Sequence, residues 1–234
     1  MISASPILVI AFAGLLHASF QLGVALLTLL SGHSLGINRS FRRLMHLNVA
    51  YLFGATVVTI LIFAALAYIL LLSIGQHIQL AWLVAALINM VIGVSVMIFY
   101  YRRQKGTGLW LPDSMAQYLS KRVKKTNHTA EAFTLGAGSV LAETPFLIGP
   151  FTVAVLYTLT LEGSQLQLLS LITYSFIALA PLVAIVALVG GGHKISHIQK
   201  WREENKLFLQ YCAGCGLLIL GAFVFVDKFV GANL

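Results

Sequence analysis

The chain has 234 residues, of which 59% are hydrophobic and only 9% charged, and its mean hydropathy is +0.91. Soluble domains have about a quarter of their residues charged, so this composition excludes a soluble protein, a disordered chain and a secreted disulfide scaffold. The apolar surplus exceeds what one core can bury and indicates lipid as a second solvent. The net charge is +8. The positions of the basic residues are explained by membrane topology, so we predict no nucleic-acid partner.

Gaps between charged residues predict six membrane-spanning helices, because about 20 mainly apolar residues cross the hydrocarbon layer. No Asp, Glu, Lys or Arg precedes Arg39, which predicts the first span. The sequence GQHIQ around Gly75 divides the next apolar stretch into two spans, and LEGSQ around Glu162 divides the following one. The predicted spans of this single transmembrane domain, 1–234, are residues 5–30, 47–73, 79–101, 132–160, 166–190 and 207–227.

The basic residues are confined to alternate connections between these spans. Every Lys and Arg except Lys228 lies in the first, third or fifth connection. Basic loops resist translocation, so we predict that these connections are cytoplasmic and that both termini lie outside. Residues 112–125 form a basic amphipathic segment, expected to lie on anionic headgroups of the inner leaflet. The predicted fold is an all-α polytopic protein of a bacterial or archaeal plasma membrane.

An internal duplication of three helices would place the two halves in opposite orientations, as a 3+3 inverted repeat. Aligning HASF at His17–Phe20 with ETPF at Glu143–Phe146 pairs the centres of spans one and four. Aligning Ile92–Phe99 with Leu220–Asp227 pairs spans three and six. Identities are few, and the regular spacing of the basic loops is the better argument for the repeat.

The fourth span carries the most unusual residues. Gly149 and Pro150 predict a break or a kink in the helix, because each proline removes a backbone donor and frees a carbonyl one turn earlier. Glu143 is the only acidic residue well inside a span, and ionisable groups in the membrane are costly enough to be functional candidates. With Thr144 and Pro145, it is predicted to belong to a site for a small solute or cation. The alternative is a protonated Glu143 that forms a structural hydrogen bond.

The first span contributes His17, Ser19 and Gln21 near the middle of its apolar stretch. His17 and Gln21 are four residues apart and share a helix face. Polar groups on one face of a membrane helix are expected to point into the bundle, which assigns these residues to the same candidate site as Glu143. A buried structural histidine is the alternative.

Cys212 and Cys215 form a C-x-x-C motif at the start of the sixth span. A redox dithiol and half of a zinc site are two possible interpretations, and the sequence has no second C-x-x-C to complete a metal site. The interleaved Gly214 and Gly216 favour a third interpretation, in which AGCG supplies small residues for close helix packing. We assign no metal.

These features together resemble the lysine-exporter superfamily in the broad sense, which includes solute and metal exporters and CcdA-type thiol–disulfide electron carriers. The resemblance rests on six spans, polar or proline-rich centres in spans one and four, and the closing GLLILGAF at Gly216–Phe223. CcdA-like members are expected to carry a cysteine beside proline in both spans, whereas HASFQ and ETPFLIGP keep Pro145 and have no cysteine.

This departure removes the residues through which electrons would pass, and the resemblance therefore implies solute export. We expect a secondary transporter that works by alternating access around spans one and four, without a cofactor and without enzymatic activity. A membrane thiol–disulfide carrier that uses Cys212 and Cys215 is one alternative. A membrane scaffold protein that does not transport is the other.

Overall fold

The computed structural model describes residues 6–20, 22–35, 41–74, 77–99, 118, 121–123, 125–192 and 196–231. Every regular element among them is helical. The elements are α1 (Pro6–Ser19), α2 (Leu22–Leu35), α3 (Phe41–Ile74), α4 (Ile78–Phe99), α5 (Thr129–Leu159), α6 (Ser164–Gly190), α7 (Ser196–Glu204), α8 (Lys206–Val224) and a π-helical turn (Phe225–Val230).

Five helices of the described chain are long and apolar enough to cross a membrane, namely α3, α4, α5, α6 and α8 with its π-helical turn. The count becomes six if α1 and α2 together form one bent span. The prediction of an all-α bundle of membrane-spanning helices is confirmed at this level.

The region predicted as the first span forms two helices that meet at a bend. Its two halves, Pro6–Ser19 and Gly23–Ser31, meet at an angle of 50°. The amide of Phe20 donates to the carbonyl of His17 at 3.1 Å, a three-residue turn that ends α1. The sequence predicts one uninterrupted helix here, because apolar residues on both sides of the bend give no hydropathy signal for a break.

The fourth span, by contrast, is one continuous helix. α5 passes through Pro145 and Pro150 without interruption, so the predicted break at Gly149 and Pro150 corresponds to no gap in the helix. α5 is also the most enclosed of the spans, with 67% of its most apolar stretch buried against 17% for α3. Pro145 and Pro150 deprive α5 of two backbone hydrogen bonds, and neighbouring helices on most of its sides stabilise it.

The tightest helix crossings use glycine. Cβ atoms added at Gly54 of α3 and Gly136 of α5 would each collide with a backbone carbonyl of the other helix, that of Phe133 and that of Tyr51 respectively. α4 and α8 cross at Gly93 and Gly214 in the same way. Small residues at such crossings are typical of membrane helices, since close approach of backbones supplies the packing energy.

The α3 helix begins at Phe41, ahead of the apolar stretch that defined the second predicted span. Its first two turns carry Arg42, Arg43 and His46. Of the amphipathic segment 112–125, the structure describes Tyr118, 121–123 and Lys125, all helical. Within that part only Val123 is buried, which is the pattern expected of a helix with one apolar face.

The buried apolar side chains form two clusters, one toward each end of the bundle. The first includes Ile10, Phe63 and Phe151, and the second, at the end with the basic connections, includes Leu27, Leu47 and Leu135. The candidate site lies where these two clusters meet.

Candidate functional site

A small central cavity lies among α1, α2, α5 and α6. Its volume is about 20 Å³, which is room for one water molecule or one small ion. The side chains and backbone that line it are those of His17, Ala18, Phe20, Gly23, Val24, Ser139, Val140, Glu143, Ala178, Leu179, Pro181 and Leu182. The structure therefore brings His17 of the first span and Glu143 of the fourth to one cavity.

Local helix geometry brings both residues to the cavity. His17 lies in the last turn of α1, next to the bend, while Gly23 and Val24 begin the other half of the span. On α5, Ser139 and Val140 lie one turn before Glu143 and share its face. The bend in the first span thus opens the space that the continuous α5 helix lines from the other side.

His17 is held on the wall of the cavity by aromatic neighbours. It is 5% exposed, and its Nδ1 lies 3.0 Å from the hydroxyl of Tyr174 on α6. The ring of Phe151 meets the imidazole edge-on, with centroids 5.3 Å apart. A tyrosine hydroxyl both donates and accepts, so this hydrogen bond persists whether His17 is neutral or protonated.

Glu143 is 6% exposed, which is unusual for a carboxyl group. Its neighbour Ser139 is fully buried and donates to the carbonyl of Gly136 at 2.7 Å. Tyr51 of α3 lies nearby and donates to the carbonyl of Gly23 at 3.0 Å, which ties α3 to the start of α2 beside the cavity. The carboxyl group of Glu143 therefore shares its cavity with the polar side chains of His17 and Ser139 in an otherwise apolar bundle.

The other predicted site residues are placed differently. Ser19 donates to the carbonyl of Leu16 at 2.6 Å, Thr144 donates to that of Val140 at 3.0 Å, and neither lines the cavity. Pro145 is exposed and lies in an apolar depression on the outside of the bundle. Gln21 lies outside the described residues.

Gly149 serves helix packing at its position in α5. A Cβ there would lie 2.7 Å from Oδ1 of Asn89, a fully buried residue of α4. The amide group of Asn89 donates to Ala85 at 2.8 Å, and its Oδ1 has no hydrogen-bond donor among the described residues. Pro150 is buried beside this contact. The two residues that indicated a break instead form part of a close contact between α4 and α5.

Cys212 and Cys215 are free thiols, exposed on the outer face of α8, and do not line the central cavity. Gly214 between them and Gly216 after them face inward: a Cβ at Gly214 would collide with Met97 and one at Gly216 with Leu16. Close packing at AGCG therefore comes from the glycines, while the two sulfur atoms point away from the core.

A second polar cluster, which the sequence did not indicate, lies at the end of the bundle opposite the basic connections. The hydroxyl of Tyr157 donates to Asp227 at 2.8 Å, and Lys228 pairs with Asp227 at 3.1 Å. The Lys228 ammonium also lies 5.0 Å from the ring centre of Tyr157 and 5.7 Å from that of Trp82. The adjacent opposite charges of Asp227 and Lys228, at the end of the last span, were the sequence signal that could have indicated this cluster. These contacts hold the π-helical turn against α4 and α5.

Comparison with protein-family models, curated proteins and solved structures finds no match to this chain.

Proposed function

We propose that this protein is a secondary transporter that moves a small cation, in exchange for or together with protons, through the central cavity. The observation that carries the proposal is that His17 and Glu143, the polar centres of the first and fourth spans, line one cavity. An acid and a base in the interior of an apolar bundle can bind a cation or exchange a proton.

The size of the cavity favours a small substrate. At about 20 Å³ it has room for a water molecule or a monatomic ion, and not for an amino acid. Hydrophobic clusters pack the bundle on both sides of the cavity, and alternating access requires at least one side to be packed in this way at any time.

Two sets of contacts support an inverted repeat as the basis of the alternating-access motion. In the alignment of His17 with Glu143, Phe20 corresponds to Phe146, and these two rings stack with centroids 6.0 Å apart. Equivalent residues touch each other when they lie close to a two-fold axis.

The second set of contacts is reciprocal. With Ile92 aligned to Leu220, Gly93 corresponds to Gly221 and Met90 to Leu218. A Cβ at Gly93 would lie 3.0 Å from Leu218, and one at Gly221 would lie 2.9 Å from Met90. Exchanging each residue for its equivalent therefore reproduces the contact, as a pseudo-two-fold arrangement of α4 and α8 would require.

The arrangement is also compatible with the resemblance to the lysine-exporter superfamily, whose members are expected to have polar or proline-rich centres in spans one and four. We retain that relationship as part of the proposal. Neither cysteine lines the cavity, so no observation favours electron transfer.

The transport proposal is tested in proteoliposomes that contain a pH-sensitive dye, with gradients of sodium, potassium, magnesium or manganese chloride imposed in turn. We expect at least one cation to drive proton movement. Gly23→Ala should reduce it, because the new methyl group enters the cavity and meets Leu182 and Ser139 at an ordinary contact distance of 3.6 Å. Gly138→Ala, whose Cβ meets nothing within 4 Å, is the matched control.

We also propose that the basic end of the bundle faces the cytoplasm, as the positive-inside rule requires. In a variant with both native cysteines replaced by Ala, Ser164→Cys in intact cells should react with an impermeant thiol reagent. Lys200→Cys, at the opposite end, should react only after the cells are opened. Both replaced side chains are exposed, so the accessibility of the side chain does not limit labelling. Labelling of Lys200→Cys in intact cells would show that the orientation is reversed.

A further inference from the structure

A depression of about 370 Å³, the basic pocket, lies at the end of the bundle with the basic connections. The start of α3 and the start of α5 form it together, and it shares no lining residue with the central cavity. Its lining residues are Arg42, Arg43, His46, Leu47, Asn127, His128 and Thr129. Every ionisable side chain that lines it is basic, which suits an anion.

The basic pocket is partly organised by the protein itself. The guanidinium group of Arg43 donates to the carbonyl of Asn127 at 3.1 Å, which joins α3 to the segment before α5. His46 Nδ1 lies 2.7 Å from the carbonyl of Arg42. A carbonyl can only accept, so Nδ1 carries the proton in this hydrogen bond, which fixes the His46 ring beside the pocket.

The nearest carboxylate in sequence, Glu131, does not neutralise these arginines. Its Oε2 accepts the backbone amides of Asn127 at 2.8 Å and His128 at 3.3 Å, which caps the start of α5. No ion pair joins Glu131 to Arg42 or Arg43, and no hydrogen bond ties the Arg42 guanidinium to any residue that the structure describes. The positive charge of Arg42 is therefore available to an external anion.

An apolar stripe continues from the basic pocket toward the middle of the bundle. Val49 and Phe53 follow His46 at three- and four-residue intervals on α3, so the three side chains share one face. Val49 is 52% and Phe53 61% exposed, and the ring of Phe53 contacts that of Phe133 on α5. A bound phosphate alone would not use this stripe, whereas an acyl chain below a phosphate group would.

We propose that the basic pocket binds the phosphate headgroup of an anionic phospholipid, with an acyl chain lying along Val49 and Phe53. Arginine suits a phosphate because its planar guanidinium presents paired donors to two oxygens. Pockets of basic residues between membrane helices at the headgroup level are suited to such lipids. The site is separate from the central cavity and does not depend on the transport proposal.

The test uses purified protein in a neutral detergent, titrated with short-chain phosphatidylglycerol and monitored by native mass spectrometry and by thermal unfolding. We expect phosphatidylglycerol to bind and to raise the melting temperature. Equal concentrations of phosphatidylcholine of the same chain length, and of glycerol phosphate, should have little effect. Phosphatidylcholine lacks the net negative charge, and glycerol phosphate lacks the chain.

Arg42→Gln should weaken phosphatidylglycerol binding by about fivefold, the effect of one basic residue near an anionic lipid. Lys200→Gln removes the same charge from an exposed position at the same end that does not line the pocket, and should leave the affinity unchanged. Arg42 is preferred to Arg43 as the test position because Arg43 joins α3 to the segment before α5, whereas the Arg42 guanidinium has no hydrogen bond or ion pair within the described residues. Val49→Ser should weaken binding of the lipid by removing apolar contact with the chain.

Three results would overturn the proposal. Equal binding of glycerol phosphate would identify a free-phosphate site, and equal binding of phosphatidylcholine would show that charge is not recognised. An equal loss in Arg42→Gln and Lys200→Gln would show that a diffuse positive surface, rather than this pocket, attracts the lipid.

Discussion

Replacing Glu143 with Gln is expected to abolish cation-driven proton movement while the protein stays folded. Glutamine has nearly the same shape as protonated glutamic acid and keeps its capacity for hydrogen bonds, but it can neither ionise nor carry a proton. We expect a loss of at least about a hundredfold, the effect of removing a side chain that transfers a proton. The melting temperature should remain close to that of the wild type, since packing around this 6% exposed residue is preserved.

The flux is measured in the same proteoliposomes as the wild type, and unfolding is followed in detergent. Tyr174→Phe is an informative companion, because it removes the hydroxyl 3.0 Å from His17 and leaves the aromatic contacts with Phe63 and Phe151 in place. It should reduce the flux without abolishing it. Wild-type flux in Glu143→Gln would instead identify Glu143 as a structural residue, and so would a lower melting temperature without loss of flux.

Gly54→Ala and Gly136→Ala are expected to destabilise the protein more than other substitutions of the same size. Each new methyl group would collide with a backbone carbonyl across the contact between α3 and α5, which cannot move aside as a flexible side chain would. Overpacking of this kind costs about 1–3 kcal/mol. Alanine regains at most about 1 kcal/mol in helix propensity, so the collision should dominate.

The measurement is the free energy of unfolding of the purified protein in detergent. Gly138→Ala is the control, because it lies on the same helix and its Cβ meets nothing within 4 Å. It should be neutral or slightly stabilising. If all three variants unfolded alike, the close approach of α3 and α5 would not contribute to stability.

Composition and charge alone determined the class of this protein. Uncharged stretches long enough to cross a bilayer predicted an all-helical membrane bundle, and the structure has five such helices, or six with the bent first span. The cost of a carboxyl group in hydrocarbon also directed attention to Glu143 from sequence alone. These inferences hold because the bilayer sets the length that an uncharged helix needs and the cost of a buried charge. Both constraints apply whichever helices are its neighbours.

The tertiary structure decided which face of each helix points inward. A membrane helix has no polar outer face, since lipid is as apolar as the core, so hydropathy does not show that Pro145 lies on the surface of the bundle. For the same reason the sequence could not place the bend in the first span or bring Tyr174 to His17. Contacts with neighbouring helices fix both features, and such contacts leave no periodic signal in an apolar sequence.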